Sequence, residues 1–332
     1  MGNPGSNNWQ KTILFVFFAT SLPFVLNLLG FDFSAVTPKL DLAALNELDP
    51  NRITDQIHYN LRGSFIHSLL EWSACCVASV TAILALIHFR IKGDIVAPFI
   101  GLALFWAGCM DAFHTLAADR LIEASAPNTD LIPFTWAICR LFKAIIPILA
   151  IAYLINRGND RRKISFLPVI GAAVIFGLAA YITIRISGNS DNLPNTMYPE
   201  ALFTRPWDVA PLITFLIAGT IIYPLYVRNH RNIFSMCLWI SVIPDIGAQL
   251  HMAFGSTALF DNHFNIAHTL KIFAYLVPFG GLAADYVLAN KESLESLDKL
   301  QESNEALENE IEVRRRAEDD LSISESKSAS IS

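Results

Sequence analysis

The sequence predicts an all-α, polytopic membrane bundle of about eight transmembrane helices, continued at its C-terminal end by a cytoplasmic coiled-coil helix. Three observations predict it. Hydrophobic residues make up 53% of the 332-residue chain and charged residues only 16%, where soluble domains carry roughly a quarter charged. The charge is also unevenly placed, dense from Lys291 to Asp320 and sparse before it, which separates a lipid-embedded body from a water-exposed tail. Finally, the apolar residues fall into runs of about 20, the length that crosses a bilayer core. Such runs must be helical, because lipid offers the backbone no hydrogen-bonding partner.

The runs lie near 12–30, 63–89, 95–117, 132–155, 167–186, 209–227, 233–254 and 266–288. Lys11 precedes the first, and no small-residue cleavage site follows Gly30, so that run is expected to stay as a helix rather than be removed as a signal. Segment 31–62 is the longest loop. Its Leu40, Leu42, Leu45 and Leu48 suit either a short amphipathic helix on the membrane surface or an ordered loop capping the bundle. Pro194, Pro199, Pro206 and Trp207 mark an irregular loop with an interfacial aromatic.

Basic residues sit in alternate loops: Arg90 and Lys92, then Arg157, Arg161, Arg162 and Lys163, then Arg228 and Arg231. The positive-inside rule places these loops in the cytoplasm. With eight spans both termini are then cytoplasmic, in a multi-pass protein of a bacterial inner membrane surrounded by lipid. The expected division is a membrane-integral domain over 1–289, a coiled coil over 290–321 and a Ser-rich, disordered tail over 322–332.

No basic tract points to nucleic acid, and the net charge of −6 arises largely in the tail. Cys75, Cys76, Cys109, Cys139 and Cys237 lie inside apolar runs without metal or redox spacing, which reads as buried packing.

Ionisable side chains inside a membrane are costly and face an interior or a cavity. Here they recur in five runs. The second carries His67 and Glu71, the third Asp111 and His114, the fourth Arg140 and Lys143, the seventh Asp245 and His251, the eighth His268 and Lys271. A rise of about 1.5 Å per residue puts the four histidines about 4–8 Å inside the outer boundary, with the acids, Arg140 and Lys271 roughly 8–15 Å deep. Spacings of three or four put each pair on one helix face. Asp245 and His251 are the exception, six apart and about 120° off a common face.

Several chemistries suit this set. The imidazoles with carboxylates beneath them fit a transition-metal ion such as Cu, Zn or Fe. Two histidines fit the axial positions of haem b. Arg140, Lys143 and Lys271 fit as counter-charges in a pocket for a small anionic or polar ligand, and the imidazoles alone fit a pH sensor. A purely structural role also accounts for them, with Asp111 paired to Arg140, and Glu71 or Asp245 to Lys271, as ion pairs joining helices. No HExxH or ExxH pair sharpens the metal reading. His58 and His263, in loops at the same end, are further candidates, whereas His88 and His230 fall at the opposite boundary. A proton-coupled transporter and a membrane metalloprotein use the same residue types; the carrier is disfavoured because no internal repeat is visible and the polar groups stay in one leaflet.

From Ala289 to Leu321 the chain runs without Pro or Gly, with Leu297, Asn304 and Ile311 at a positions and Leu300, Leu307 and Leu321 at d. A polar residue at one a position is a device of parallel dimers in fixed register, here a homodimer. Gly280 and Gly281, in the eighth run, permit close packing or a bend.

A resemblance gathers these features. His67-x-x-x-Glu71, then Phe89-Arg90-x-Lys92-Gly93-Asp94, then Ala107-Gly108-x-Met110-Asp111-Ala112-Phe113-His114-Thr115-Leu116, then Thr135-Trp136-x-x-x-Arg140 resemble the third membrane-associated sensor (MASE) domain family, over most of 10–290. The resemblance implies an input module fused to a histidine kinase, diguanylate cyclase or phosphodiesterase, often through a PAS domain. Glu312-Val313-Arg314-Arg315-Arg316-Ala317-Glu318 is similar to the helix that leads into PAS domains. No GGDEF, EAL, kinase H-box or ATP-binding glycine pattern occurs in these residues, so the expectation is a non-enzymatic sensor that is a piece of a longer chain or acts on a separate output partner.

Overall fold

Every apolar run becomes a helix. The computed structural model describes residues 4–38, 49–93, 95–157 and 167–329. Helix α1 spans Pro4–Leu28, α2 Pro50–Lys92, α3 Val96–Ala118, α4 Asn128–Arg157 and α5 Leu167–Gly188. The sixth crossing is composite: a 3-10 turn at Pro206–Asp208, α6 (Val209–Ile217), a π turn at Ala218–Ile222, and α7 (Tyr223–Asn229). The seventh joins α8 (Ile233–Ile240) to α9 (Val242–Phe254), and the eighth opens α10 (Asn262–Ala329). Among the described residues eight helical stretches are long and apolar enough to cross a membrane, and none is a strand. The protein is a polytopic, all-helical membrane bundle.

Helix α2 departs from expectation at its start. Asp49 Oδ1 accepts from the backbone of Asn51 (3.0 Å) and Arg52 (3.3 Å), and Pro50 takes the first helical position. Residues 50–62, read above as loop, are therefore helical. At 43 residues α2 is about 65 Å long, twice the hydrocarbon thickness, so its polar first turns extend past the lipid. Leu40, Leu42, Leu45, Leu48, Arg161, Arg162 and Lys163 lie outside the described residues.

Lipid is as apolar as a protein core, so these helices gain mainly from close approach. Gly101 and Gly108 of α3 face Ala85 and Ala78 of α2. A Cβ at either glycine would stand 2.6 or 2.7 Å from the alanine methyl. A Cβ at Gly281 would overlap Cys237 of α8, so this glycine serves packing, while Gly280 faces open space. The cysteines divide: Cys75, Cys139 and Cys237 are buried, but Cys76 is exposed and Cys109 half-buried. In the π turn, the carbonyl of Gly219 accepts from Trp239 Nε1 at 2.7 Å, which ties the sixth crossing to α8. Asp285 is also structural: its Oδ2 accepts from the Phe234 backbone (3.2 Å) at the start of α8.

The chain divides into two compact units, Met1–Asp285 and Tyr286–Ser332. Within the second, Leu297, Leu300, Leu307 and Ile311 are 55–58% exposed. Pairs such as Arg314–Glu310 (2.8 Å) support the helix. That helix reaches Ala329, into the segment expected to be disordered; no Pro or Gly stands there to stop it.

Candidate functional site

Buried charged residues gather where α3 ends and α4 and α10 begin. His67, Glu71, Arg140, His268 and Lys271 have no exposed surface, and Asp111, His114, Lys143 and Asp245 have 4% or less. They come from α2, α3, α4, α9 and α10; spacings of three or four bring the pairs of α2, α3, α4 and α10 inward, and α9 supplies Asp245 alone.

Two hubs organise them. Lys271 Nζ bonds Glu71 Oε2 and lies 3.5 Å from Asp111 Oδ1. Asp245 Oδ1 bonds Arg140 and, at 2.8 Å, Lys143. Tyr275 joins the hubs: its hydroxyl donates to Asp111 Oδ2 (3.1 Å), and Lys143 Nζ lies 3.9 Å from its ring centre. The expected pairing of Asp111 with Arg140 is thus replaced, Arg140 taking Asp245 and Asp111 taking Lys271. Trp136 fills the space between hubs and histidines, its ring 4.2 Å from His268, 5.0 Å from Lys271 Nζ and 5.6 Å from the Arg140 guanidinium, centre to centre or centre to atom.

The imidazoles converge on Glu71. His67 Nε2 lies 3.2 Å from His114 Nε2 and 3.8 Å from Glu71 Oε1. His268 Nε2 lies 3.1 Å from the same Oε1. The far side of two rings is fixed by neighbours. His268 Nδ1 is 2.7 Å from the carbonyl of Phe264. His114 Nδ1 is 2.5 Å from Thr135 Oγ1, whose own proton goes to the Leu131 carbonyl. One ligand atom each from His67, Glu71 and His114 falls within 4.8 Å of the others. A cavity of about 370 Å³ runs from exposed Glu123, Arg185 and Asn189 to buried His114 and Thr135, giving the cluster's edge a route to the surface.

Not every candidate joins. His251 turns away and pairs with His263, Nδ1 to Nδ1 at 2.8 Å; the six-residue offset from Asp245 puts it on another face. His58 is exposed, its ring edge-on to Phe65 at 6.2 Å. Conversely, residues outside those charged pairs take part. Gln249, with its amide turned to satisfy both ends, donates to Asp208 Oδ1 (3.0 Å) and accepts from Arg140 Nε (2.8 Å). Arg205, fully buried just before the sixth crossing, contacts the sulfurs of Met252 (3.3 Å) and Met197 (3.5 Å). Burial pulls its pKa down, and the Asp208 charge opposes that. Both residues sit in a segment that reads as loop, so only their charge at a span boundary marked them.

Comparison with curated proteins and with solved structures finds no match. The family model for MASE3, described as a membrane-associated sensor domain, matches residues 62–285. That stretch takes in the bundle from α2 to the membrane part of α10, with every residue of the cluster inside it. The chain therefore belongs to the MASE3 family of membrane-associated sensor domains.

Proposed function

We propose that the chain is a sensory input domain whose cue is a transition-metal ion, Zn, Cu or Fe, held by His67, His114, His268 and Glu71. One relationship carries the reading. A backbone carbonyl only accepts, so His268 Nδ1 must donate its proton to Phe264. A neutral ring then aims the Nε2 lone pair at Glu71 Oε1, 3.1 Å away, and an imidazolium aims its Nε2 proton there. Two bare acceptors at that distance repel, so either a proton or a metal ion must lie between them, and neither atom has another hydrogen-bond partner. His114 follows the same pattern, its Nδ1 proton going to Thr135 and its Nε2 lone pair facing inward.

Distances support an ion. Nitrogens about 2.05 Å from a tetrahedral metal stand about 3.3 Å apart, and the observed separations from His67 to His114 and from His268 to Glu71 are 3.2 and 3.1 Å. Phe264 and Thr135 are the outer partners that fix ligand tautomers at metal sites. Haem b does not fit: its axial nitrogens stand about 4 Å apart across a macrocycle, whereas here Phe264 stacks on His268 at 4.1 Å and His67 touches both neighbouring imidazoles.

The signal leaves through α10, which supplies both His268 and Lys271 to Glu71 of α2. An ion that takes Oε1 and His268 alters how α10 is tied to α2, and it shifts the domain only as far as it prefers one arrangement. The alternation of basic loops supports cytoplasmic termini in a bacterial cell, with the site in the outer leaflet of the inner membrane. The exposed Leu297, Leu300, Leu307 and Ile311, with Asn304, then form a parallel homodimeric coiled coil that passes the change to a cytoplasmic output, a kinase or a cyclic-di-GMP enzyme. A carrier is weaker as a reading, since no second cluster of buried charges lies at the other end among the described residues and Asp285 there caps α8.

The test is a chimera of the full chain with a cytoplasmic cyclase, exposed in turn to Zn(II), Cu(II) and Fe(II). Output must respond to at least one, and His114→Ala and His268→Ala must abolish the response. Identical output with each metal and with chelator would refute the proposal.

A further inference from the structure

We infer that the chain has a second binding site, independent of the metal cluster: a groove between α1 and α9 that takes the ring of a quinone or quinol from the bilayer, hydrogen-bonded by the His251–His263 pair. The groove encloses about 720 Å³, the size range of small-molecule sites. Phe17, Thr20 and Phe24 of α1 form one wall, Leu250 and Phe254 of α9 the other, and the two histidines close one end. Phe17 is 60% exposed and Leu250 45%. Both lie within membrane-crossing stretches, so the groove opens to lipid and its occupant must be apolar enough to arrive from there.

Two glycines shape it. A Cβ on Gly255 would overlap the His263 imidazole, and one on Gly247 would stand 2.7 Å from Thr20 Cγ2. The first leaves room for the second ring of the pair, and the second lets α1 approach α9 closely enough to close the groove's floor. Phe24 lies edge-on to His251, ring centres 5.8 Å apart.

The polar end selects the ligand. His251 and His263 meet Nδ1 to Nδ1 at 2.8 Å, so a single proton lies between those atoms. Whichever neutral ring donates it keeps a lone pair on its own Nε2, and the other ring must carry its proton on Nε2. The pair thus offers one donor and one acceptor, and transfer of one proton across the Nδ1 bridge with matching exchange at the outer nitrogens swaps them. An acyl chain has no use for such a pair. A quinone carbonyl needs the donor and a quinol hydroxyl needs the acceptor, and one pair of neutral imidazoles serves both. Histidine at the head of an apolar, aromatic-walled groove open to lipid fits that ligand class.

The experiment uses the full chain in nanodiscs and measures equilibrium retention of decylubiquinone, with decylbenzene as a competitor of equal tail and no oxygen. Saturable binding is expected, weakened about tenfold, the worth of one good hydrogen bond, in His251→Phe. Leu250→Trp, which fills the groove from its lipid side without touching the pair, should also weaken it, whereas His114→Ala should leave it unchanged. Three results would each overturn the inference: retention no greater than in empty nanodiscs, equal competition by decylbenzene, or wild-type affinity in a folded His251→Phe or Leu250→Trp protein. Because His114→Ala removes the metal cluster alone, failure here and failure of the sensory reading are separable.

Discussion

His268 stands between two oxygens: Nε2 is 3.1 Å from Glu71 Oε1 while the Nδ1 proton is committed to the Phe264 carbonyl at 2.7 Å. A proton on Nε2 or a bound cation joins the two atoms, and the stability of the surrounding charges follows from how they are shared.

Lys271 serves two carboxylates, Glu71 and Asp111. Lys271→Met strands both, whereas Glu71→Gln leaves Lys271 with Asp111. Breaking one side of a buried pair costs about 3–5 kcal/mol. The lysine variant should reach that range and Glu71→Gln should lose less. Thermal unfolding in detergent checks the order; a larger loss for Glu71→Gln would break it.

Asp245 is the mirror image, one carboxylate between Arg140 and Lys143. Asp245→Asn leaves two buried cations and should destabilise by about 3–5 kcal/mol. Lys143→Met keeps the Arg140 pair intact and should change stability by about 1 kcal/mol or less, in either direction. Denaturant titration of the two variants separates them, and equal losses would show that the second cation is not surplus.

Gly108 meets Ala78 where α3 crosses α2. Gly108→Leu drives the helices apart and should cost about 1–3 kcal/mol through overpacking, with greater loss of metal affinity than of fold because His67 and His114 sit on those two helices. Parallel melting and metal titration check it. A variant with wild-type values in both would place the helix seam elsewhere.

Removing 290–321 should leave metal binding to the bundle unchanged and uncouple any attached output, because the second compact unit begins at Tyr286 and holds none of the cluster. Asn304→Leu should strengthen association of the tail while loosening its register. Cross-linking through single cysteines along the seam reads both effects.

Much of this was written in the sequence. Apolar runs of membrane length marked the crossings, and shared depth with i,i+3 and i,i+4 spacing marked His67, Glu71, Asp111, His114, His268 and Lys271. What stayed hidden depends on which helix neighbours which. Arg140 had three acids within reach by depth, and only the placement of α9 decides for Asp245. Tyr275 reads as one more apolar residue until Asp111 is seen against its hydroxyl. Arg205 and Asp208 look like loop charges because their burial comes from α9 and α10 folding over them. His251 shared the depth of the site histidines but not their face, and a six-residue spacing already carried that information. The helical start of α2 was legible in Asp49-Pro50, a capping signal outweighed by the polarity of the turns that follow.

The most direct measurement is the metal content of the full chain, purified in a bilayer mimic, reloaded and analysed by mass spectrometry. About one Zn, Cu or Fe per chain is expected. The metal should be lost in His268→Ala and Glu71→Gln and retained in His251→Ala. A chain that holds no metal after reloading, or that holds it equally well without His268, would contradict it.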